Sequence, residues 1–430
     1  MKKAKYILKT NVDEKTIYYN LSNGAMIVVD DEEKKDIEEG LDNPNDLGSR
    51  FWKELHENLF IVDDDYDEIK AIKIRHWKKA CSKDQFEVTI IPTLRCNEKC
   101  IYCYQRGNIN SEIEMSDKNY CDVISFLKTI PNKNIRINWY GGEPTLCKEK
   151  ILDFCQMLSS DTQHEYTYSI STNATIYDYD FYKKMVEFGL EVVDTTIVGV
   201  ENDFVKLGRY HSGGYKKVKE NITKIASLVN VVVSINLCIT NIKNVTSILD
   251  DFLEYSYLPI YFSFTRIVSY DNNPCKEIEL DSEDYMKNVI ACSNYSLDKG
   301  VKICDMSCFE NDGVYCGNYV KENYLIAPGN YVFTCENEFA PQNAIGRIID
   351  GKLELRIGND CRLCIDPYET EECRECAILP YCNGGCVHMR KIGNDFCPPE
   401  KNYLEDYLKL YYRKNVADCI EKDEIRNHFI

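Results

Sequence analysis

The sequence contains no apolar run of about 18 residues, the length that crosses a bilayer as a helix. Residues 1–10 are basic, but no apolar segment follows them, so the pattern is not that of a signal peptide. A basic excess is also absent, since 52 Lys and Arg stand against 70 Asp and Glu, giving a net charge of -18. Nucleic acid requires a basic surface. These absences predict a cytoplasmic protein with no membrane and no nucleic acid as partner.

Cysteine, in contrast, is abundant, with 22 among 430 residues. Disulfides are not expected in a reducing compartment, and a chain of this length does not need them to fold. Metal ligation therefore explains these thiols better than cross-linking does. The length allows two or three domains.

Strand-like and helix-like segments alternate six times between residues 86 and 267. The predicted strands are 86–91, 135–140, 166–172, 192–198, 231–240 and 260–267. The predicted helices between them include 120–129, 151–158, 181–188, 215–229 and 245–255. This alternation predicts an α/β fold with a parallel sheet, and six units fit a partial (β/α)6 TIM-like barrel over residues 86–300. A doubly wound sheet gives the same pattern, but a cysteine loop after the first strand favours the barrel.

That loop contains Cys96, Cys100 and Cys103 with the spacing C-x3-C-x2-C, and Tyr102 precedes the third cysteine. Three thiolates hold three irons of a [4Fe–4S] cube and leave the fourth iron without a protein ligand. An open iron is a binding place for a substrate or cofactor, so the arrangement indicates chemistry more than electron storage. The alternative is chance proximity in a cysteine-rich chain.

A second motif, Gly141-Gly142-Glu143-Pro144, follows the next predicted strand. Two glycines allow backbone to approach a ligand closely, and a carboxylate accepts hydrogen bonds from an ammonium group. An ordinary strand-end turn is the alternative. The position, one βα unit after the cysteine loop, makes the motif more specific than it is alone.

Both motifs resemble those of the radical SAM enzymes. The resemblance implies that Cys96, Cys100 and Cys103 hold a [4Fe–4S] cluster whose open iron is chelated by S-adenosyl-L-methionine. Reductive cleavage of this cofactor then yields a 5′-deoxyadenosyl radical, which abstracts a hydrogen atom from the substrate. An electron donor such as flavodoxin or ferredoxin is implied as a partner.

The resemblance also extends to further residues near strand ends. Asn173 lies where the family often has a TNG sequence, and Thr196 takes the serine position of an S-x-D-G sequence whose aspartate is Val198 here. Arg209 matches an arginine that pairs with the methionine carboxylate. Structural roles, as backbone caps or a solvated charge, are the alternatives. The implied cofactor-binding residues are Tyr102, Gly141, Gly142, Glu143, Pro144, Asn173, Thr196 and Arg209.

The C-terminal region, residues 301–430, has a dense cysteine array that resembles the SPASM domain and its two auxiliary [4Fe–4S] clusters. The resemblance implies that one cluster is held by Cys373, Cys376, Cys382 and Cys397. The other is then held by Cys316, Cys335 and Cys386, with Cys308 or Cys304 as fourth ligand or none. Two structural zinc sites are the alternative. Asn330 replaces a glycine usual in the family, and asparagine tolerates the left-handed turn required there.

Residues 1–85 form a predicted separate unit, with short strands at 6–10, 16–20 and 25–29 and helices near 32–39 and 46–57. This order is similar to the small winged-helix domains that bind a leader peptide as an added strand. A cap over the barrel is the alternative.

A radical SAM barrel with a SPASM domain resembles the enzymes that modify peptides and proteins. We therefore expect an oxidoreductase that matures a ribosomally made precursor peptide with a leader, forming a thioether or a carbon–carbon cross-link. One alternative is an anaerobic sulfatase-maturing enzyme that makes formylglycine. Another, of a different class, is an iron–sulfur electron-transfer or scaffold protein.

Overall fold

The computed structural model describes residues 1–107, 113–209, 213–269, 275–304, 309, 314–338, 340–356, 358, 360 and 366–416. The chain forms two compact units, each assembled from separate segments. The terminal unit comprises Met1–Cys81, Asp305–Val320 and Arg362–Ile430, and the barrel unit comprises Ser82–Cys304 and Lys321–Cys361. The predicted boundaries at residues 85 and 300 lie near two of these division points. The roles assigned to the three predicted domains stay predictions.

The N-terminal part of the terminal unit is a three-stranded antiparallel sheet with helices packed against it. Its elements are β1 (Lys2–Lys3), β2 (Ile7–Val12), β3 (Lys15–Asn20), β4 (Met26–Val29), α1 (Asp31–Asp42), α2 (Trp52–Glu57), β5 (Ile61–Val62) and α3 (Glu68–Ala80). The sheet has the order β2-β3-β4, and β1 pairs with β5. Side chains from β3, β4, α1 and α2 form one apolar cluster. The three strands match the predicted ones, whereas α2 is shorter than predicted and α3 was not predicted.

The barrel unit contains six parallel strands, each followed by helical segments. Its strands are β6 (Gln85–Thr93), β7 (Asn134–Gly141), β8 (Glu165–Thr172), β9 (Leu190–Ile197), β10 (Asn230–Leu237) and β11 (Ile260–Arg266). Its helices are α4 (Asp117–Leu127), α5 (Lys148–Leu158), α6 (Tyr179–Phe188), α7 (Glu201–Lys206), α8 (Gly214–Ala226), α9 (Val245–Asp251) and α10 (Ser282–Lys299). All six predicted strands are present, within a few residues of their predicted ends.

The order of these strands decides between the two predicted topologies. They lie side by side in chain order from β6 to β11. A doubly wound sheet reverses its order at a switch point, whereas a barrel adds each strand beside the previous one. The fold is therefore an α/β fold with a mostly parallel sheet, consistent with a partial TIM-like barrel.

Four further strands extend the same sheet beyond β6. They are β12 (Asn323–Ala327), β13 (Tyr331–Phe333), β14 (Gly346–Ile349) and β15 (Lys352–Leu355). β12 runs parallel to β6, and the other three are antiparallel to their neighbours. The turn between β12 and β13 contains Gly329 with φ 79° and Asn330 with φ 59°. This confirms the prediction that Asn330 accepts a left-handed conformation.

The described residues 366–416 of the terminal unit contain the helices α11 (Glu371–Arg374), α12 (Leu379–Cys382), α13 (Val387–Lys391) and α14 (Leu404–Asn415). This C-terminal part packs against the N-terminal part of the same unit. Lys73 of α3 lies 2.7 Å from Asp366 and 2.8 Å from Glu369. The ring of His76 lies 5.0 Å from that of Tyr319 and 5.6 Å from that of Tyr368. The two chain-distant parts therefore share one core.

Across the described ranges, the helices are all too short or too polar to cross a bilayer.

Candidate active site

The cysteine loop follows β6 and is held by backbone hydrogen bonds from two neighbouring loops. After β7, Gly142 N donates to Thr93 O at 3.0 Å and Glu143 N donates to Arg95 O at 2.9 Å. After α7, the carbonyls of Gly208 and Leu207 each accept from a loop amide at 3.1 Å. Parallel strands bring these loops to one end of the sheet. The loop is thus positioned by main chain on both sides.

Glycine is required where these loops touch, because a Cβ atom has no room there. A Cβ at Gly142 would lie 2.2 Å from Arg95 O, and one at Gly208 would lie 2.3 Å from Lys99 O. Both contacts are far inside normal packing distances. Gly142 and Gly208 therefore allow their backbones to pack closely against the cysteine loop.

The three loop cysteines line one cavity of about 600 Å³. The Sγ of Cys96 accepts from Glu98 N at 3.4 Å and lies 3.7 Å from Asn173 Nδ2. Burial raises the pKa of the Cys96 thiol to about 11. Three thiols on one cavity fit a [4Fe–4S] cube, in which three irons each bind one thiolate and the fourth iron has no protein ligand. Within the described ranges, no three His, Cys, Asp or Glu side chains lie close enough together to bind one metal ion.

Arg209 ties two strand ends together beside this loop. Its side chain is 2% exposed. The guanidinium donates to Thr196 O at 2.5 Å and to Asn173 O at 2.9 Å. Its Nε is buried and has no hydrogen-bond partner among the described residues. The structure thus brings together Asn173, Thr196 and Arg209, and all three line the cavity with Tyr102, Gly141 and Gly142.

Glu143 lies at the same place but faces away from the cavity. Its carboxylate is completely buried and accepts from Thr145 N at 3.0 Å, Thr145 Oγ1 at 2.6 Å, Thr172 Oγ1 at 2.8 Å and Asn173 N at 2.7 Å. Burial raises its pKa, and these hydrogen bonds oppose the rise. The buried Pro144 follows it in a 3-10 turn. The structure gives Glu143 a positioning role, and a direct contact of Glu143 or Pro144 with a cofactor stays a prediction.

Sequence reasoning missed the polar interior of the barrel. Alternate residues on five strands carry hydroxyl or amide groups on the face that turns toward the cavity, namely Asn138, Ser169, Ser171, Thr196, Ser234, Asn236, Ser263 and Thr265. The opposite face carries buried apolar residues such as Ile137, Trp139 and Ile235. A period of two with Ser, Thr or Asn at every second position was the signal that could have shown this.

A second missed group lies at the rim of the cavity. The hydroxyls of Tyr104 and Tyr140 are 2.5 Å apart, and Tyr140 also hydrogen-bonds to Glu336. Burial raises the pKa of each tyrosine well above its ordinary value. The two phenols therefore stay protonated at neutral pH and form one hydrogen-bonded chain, in which Tyr104 donates to Tyr140 and Tyr140 donates to Glu336.

The C-terminal cysteines occupy two different environments. Cys373, Cys376, Cys382 and Cys397 line one small pocket in the terminal unit, next to Lys401. Cys316 and Cys386 lie in the same unit, whereas Cys335 belongs to the barrel unit. Cys308, a predicted fourth ligand, lies outside the described residues. A cluster shared by Cys316, Cys335 and Cys386 stays a prediction.

Backbone contacts draw the cysteines of this pocket together. Cys386 N donates to Phe396 O at 2.9 Å, beside Cys397. A Cβ at Gly385 would lie 2.0 Å from the same carbonyl oxygen. Cys373 Sγ accepts from Arg390 at 3.3 Å, and Lys401 Nζ lies 3.8 Å from Cys397 Sγ. The two cations offset negative charge when the thiols ionise.

Comparison with known proteins defines the class of this site. Residues 90–251 match the Radical SAM superfamily. The chain therefore contains a radical SAM domain, which implies a [4Fe–4S] cluster and S-adenosylmethionine.

Two relatives extend the comparison. An uncharacterized protein of Methanocaldococcus jannaschii is 35% identical over 118 residues, which is 26% of this chain and 39% of that protein. The chain thus matches little more than a third of that relative's length. The radical SAM cyclopropyl synthase TigE of Paramaledivibacter caminithermalis is 19% identical over 422 residues, covering 88% of this chain and 83% of TigE.

Solved structures share the fold. The structure of anSMEcpe with bound AdoMet has a TM-score of 0.61 at 17% identity, covering 78% of this chain and 100% of that one. Streptococcus suis SuiB bound to S-adenosylmethionine has a TM-score of 0.51 at 16% identity, covering 93% and 98%. SuiB bound to the precursor peptide SuiA has a TM-score of 0.50 at 15% identity, covering 91% and 96%.

Gly208→Ala and Gly300→Ala form a matched pair of test variants. Both glycines have left-handed backbone, with φ 79° and φ 70°, so each alanine costs about 1 kcal/mol of strain. Only the Cβ at residue 208 meets the cysteine loop, whereas nothing lies within 4 Å at residue 300. We expect Gly208→Ala to lose about four iron atoms per chain and Gly300→Ala to retain them.

Iron per chain and visible absorption after anaerobic reconstitution, together with Tm, measure this difference. Equal iron content and equal Tm in the two variants would show that the Gly208 contact does not shape the cysteine loop.

Proposed function

We propose that this protein is a radical SAM peptide maturase. It acts on a ribosomally made precursor peptide and forms a thioether or, as the second choice, a carbon–carbon cross-link. The observation that carries the proposal is the single polar cavity onto which the thiols of Cys96, Cys100 and Cys103 and the side chains of Asn173, Thr196 and Arg209 all open.

The residues of this cavity fit the cofactor that the domain implies. Cys96, Cys100 and Cys103 would hold the cluster, and the Thr196 hydroxyl and Arg209 guanidinium would bind polar groups of S-adenosylmethionine. When bound, the cluster and cofactor supply a radical that abstracts hydrogen. The protein would hold these groups in the cavity at the ends of its strands.

A peptide substrate is supported by the similar proteins. TigE is similar over most of this chain, and SuiB, with a similar fold, binds the precursor peptide SuiA. The cavity itself suits a peptide, because hydroxyl and amide oxygens that bond to one another keep lone pairs that accept from peptide N–H groups.

The pocket lined by Cys373, Cys376, Cys382 and Cys397 supports one auxiliary [4Fe–4S] cluster of the SPASM type. We propose a second cluster on Cys316, Cys335 and Cys386, with Cys308 as a candidate fourth ligand. These clusters would accept the electron left after hydrogen abstraction. Flavodoxin or ferredoxin is the proposed donor for the radical-forming cluster.

The sheet β2-β3-β4 supports leader binding by strand addition, in the manner of winged-helix-like leader domains. β4 lies at one edge of this sheet. Asn20 N donates to Ala25 O at 2.9 Å, so these two residues form a hydrogen-bonded pair between β3 and β4. Hydrogen-bonded and non-hydrogen-bonded pairs alternate along antiparallel strands, and Val28 falls in a non-hydrogen-bonded pair with Ile17. The N–H of Val28 therefore points away from β3. An added strand would accept a hydrogen bond from it.

Cys100→Ala is expected to abolish formation of deoxyadenosine, because two thiolates do not secure the radical-forming cluster. The auxiliary clusters should remain, since their cysteines are elsewhere. The matched control is Cys121→Ala, which removes an exposed thiol of α4. Chromatography of the cofactor products under strong reduction measures the effect, and normal turnover by Cys100→Ala would refute the cluster assignment.

Val28→Pro is expected to weaken precursor binding about tenfold or more, since proline removes the outward N–H of the edge strand. The control is Val28→Ala, which loses the buried side chain but keeps the N–H. Binding of a fluorescent precursor peptide measures the difference. A point substitution is preferable to deleting residues 1–85, because these residues share a core with the C-terminal part of the terminal unit. Equal affinities of the two variants would argue against strand addition.

The function itself is tested by anaerobic co-expression with a cysteine-containing peptide encoded beside the gene, followed by mass spectrometry. Loss of two hydrogens per link together with loss of alkylatable thiols supports a thioether. The same mass change with all thiols free supports a carbon–carbon link. An unmodified peptide would contradict the proposal for that peptide and direct the search to protein substrates such as sulfatases.

A further inference from the structure

One carboxylate inside the barrel has no role in the site described above. Asp194 lies on β9, two residues before Thr196, and lines the same cavity. Its register neighbours are Ser171 on β8 and Val232 on β10. It therefore lies one layer deeper in the barrel than the residues assigned to the cofactor.

The other polar groups of the interior are largely paired with one another across neighbouring strands. The pairs are Ser169 Oγ to Asn138 Oδ1 at 3.1 Å, Ser234 Oγ with Ser263 Oγ at 2.9 Å, and Thr265 Oγ1 to Asn236 Oδ1 at 2.5 Å. Neighbouring strands thus satisfy these hydroxyls and amides without any ligand.

Asp194 differs from them. Within the part of the chain that the structure describes, its carboxylate has no hydrogen bond or ion pair, and Val232 beside it offers no donor. The nearest influence is the field of Arg136, which is itself paired with Glu191 at 3.1 Å. Of the two arginines that line the cavity, Arg266 is held by Glu279 at 3.1 Å and Arg209 donates to two backbone carbonyls. Among the described residues, none of these three arginines forms an ion pair with Asp194.

Burial raises the pKa of Asp194 to about 6, and the field of Arg136 opposes the rise. Because this value lies below 7, most of the carboxylate is ionised at neutral pH. A half-buried anion without donors is costly, and such groups are concentrated at binding and catalytic sites.

We propose that Asp194 is the anionic end of a subsite that receives a cationic side chain, lysine or arginine, of the peptide substrate. This inference rests on the proposed function and names the chemistry of its substrate. A cation gains a charge-assisted hydrogen bond from Asp194. The surrounding uncharged oxygens, such as that of Ser171, accept its remaining donors.

The first test is a double-mutant cycle between enzyme and peptide. Each lysine or arginine of the modified peptide is replaced in turn by glutamine, and kcat/KM is measured with wild type and with Asp194→Asn. We expect one peptide position and Asp194→Asn each to lower kcat/KM about tenfold or more, with little further loss when combined. Asp153→Asn, an exposed carboxylate of α5, is the matched control and should behave as wild type.

Independent effects at every peptide position would overturn the proposal. A tenfold weaker affinity of Asp194→Asn for S-adenosylmethionine, measured by equilibrium dialysis, would also overturn it, because the carboxylate would then serve the cofactor.

The second test needs no peptide, so it remains decisive if the proposed function fails. The Tm of the reconstituted holoprotein is measured with n-butylammonium and with the neutral n-butanol as probes. A ligand that binds only the folded state raises Tm. We expect n-butylammonium to raise the Tm of wild type and of Asp153→Asn by about a degree or more beyond n-butanol, and not that of Asp194→Asn. Equal shifts in all three proteins would overturn the cation subsite.

Discussion

Parallel pairing of six strands in chain order is the constraint on which the site depends. Because every strand from β6 to β11 runs the same way, each strand-to-helix loop emerges at the same end of the sheet. The cysteine loop, the glycine motif, Asn173, Thr196 and Arg209 are up to about a quarter of the chain apart in sequence. They form one cavity only because this pairing superimposes the ends of their strands.

Two buried charged side chains fix the positions of these strand ends relative to one another. The carboxylate of Glu143 joins the ends of β7 and β8 through Thr145, Thr172 and Asn173. The guanidinium of Arg209 joins the ends of β8 and β9 through two carbonyls. A hydrogen bond to a charged group contributes about 1.5–3 kcal/mol to the free energy of unfolding. A buried group that loses its partner costs a similar free energy. The two charged side chains that were predicted to bind the cofactor therefore hold the backbone in place.

The interior of the barrel differs in polarity from that of a closed TIM barrel. A closed TIM barrel fills its centre with branched apolar side chains, whereas here one face of the sheet is apolar and the other is polar. The apolar face packs beneath the helices and supplies burial free energy. The polar face lines a cavity that can accept substrates with many hydrogen-bonding groups. Stability and substrate space are thus assigned to opposite faces of the same strands.

The sequence by itself determined the strands, the cysteine loop and the glycine motif, because these depend on local pattern and spacing. The left-handed turn at Asn330 was predictable for the same reason. Only the tertiary structure decided that Glu143 faces away from the cavity and that Asp194 has no hydrogen-bond partner among the described residues. It also decided that Lys73 and His76 join a core with residues near Tyr368. Each of these depends on side chains brought together from distant segments, and spacing along the chain does not determine such contacts.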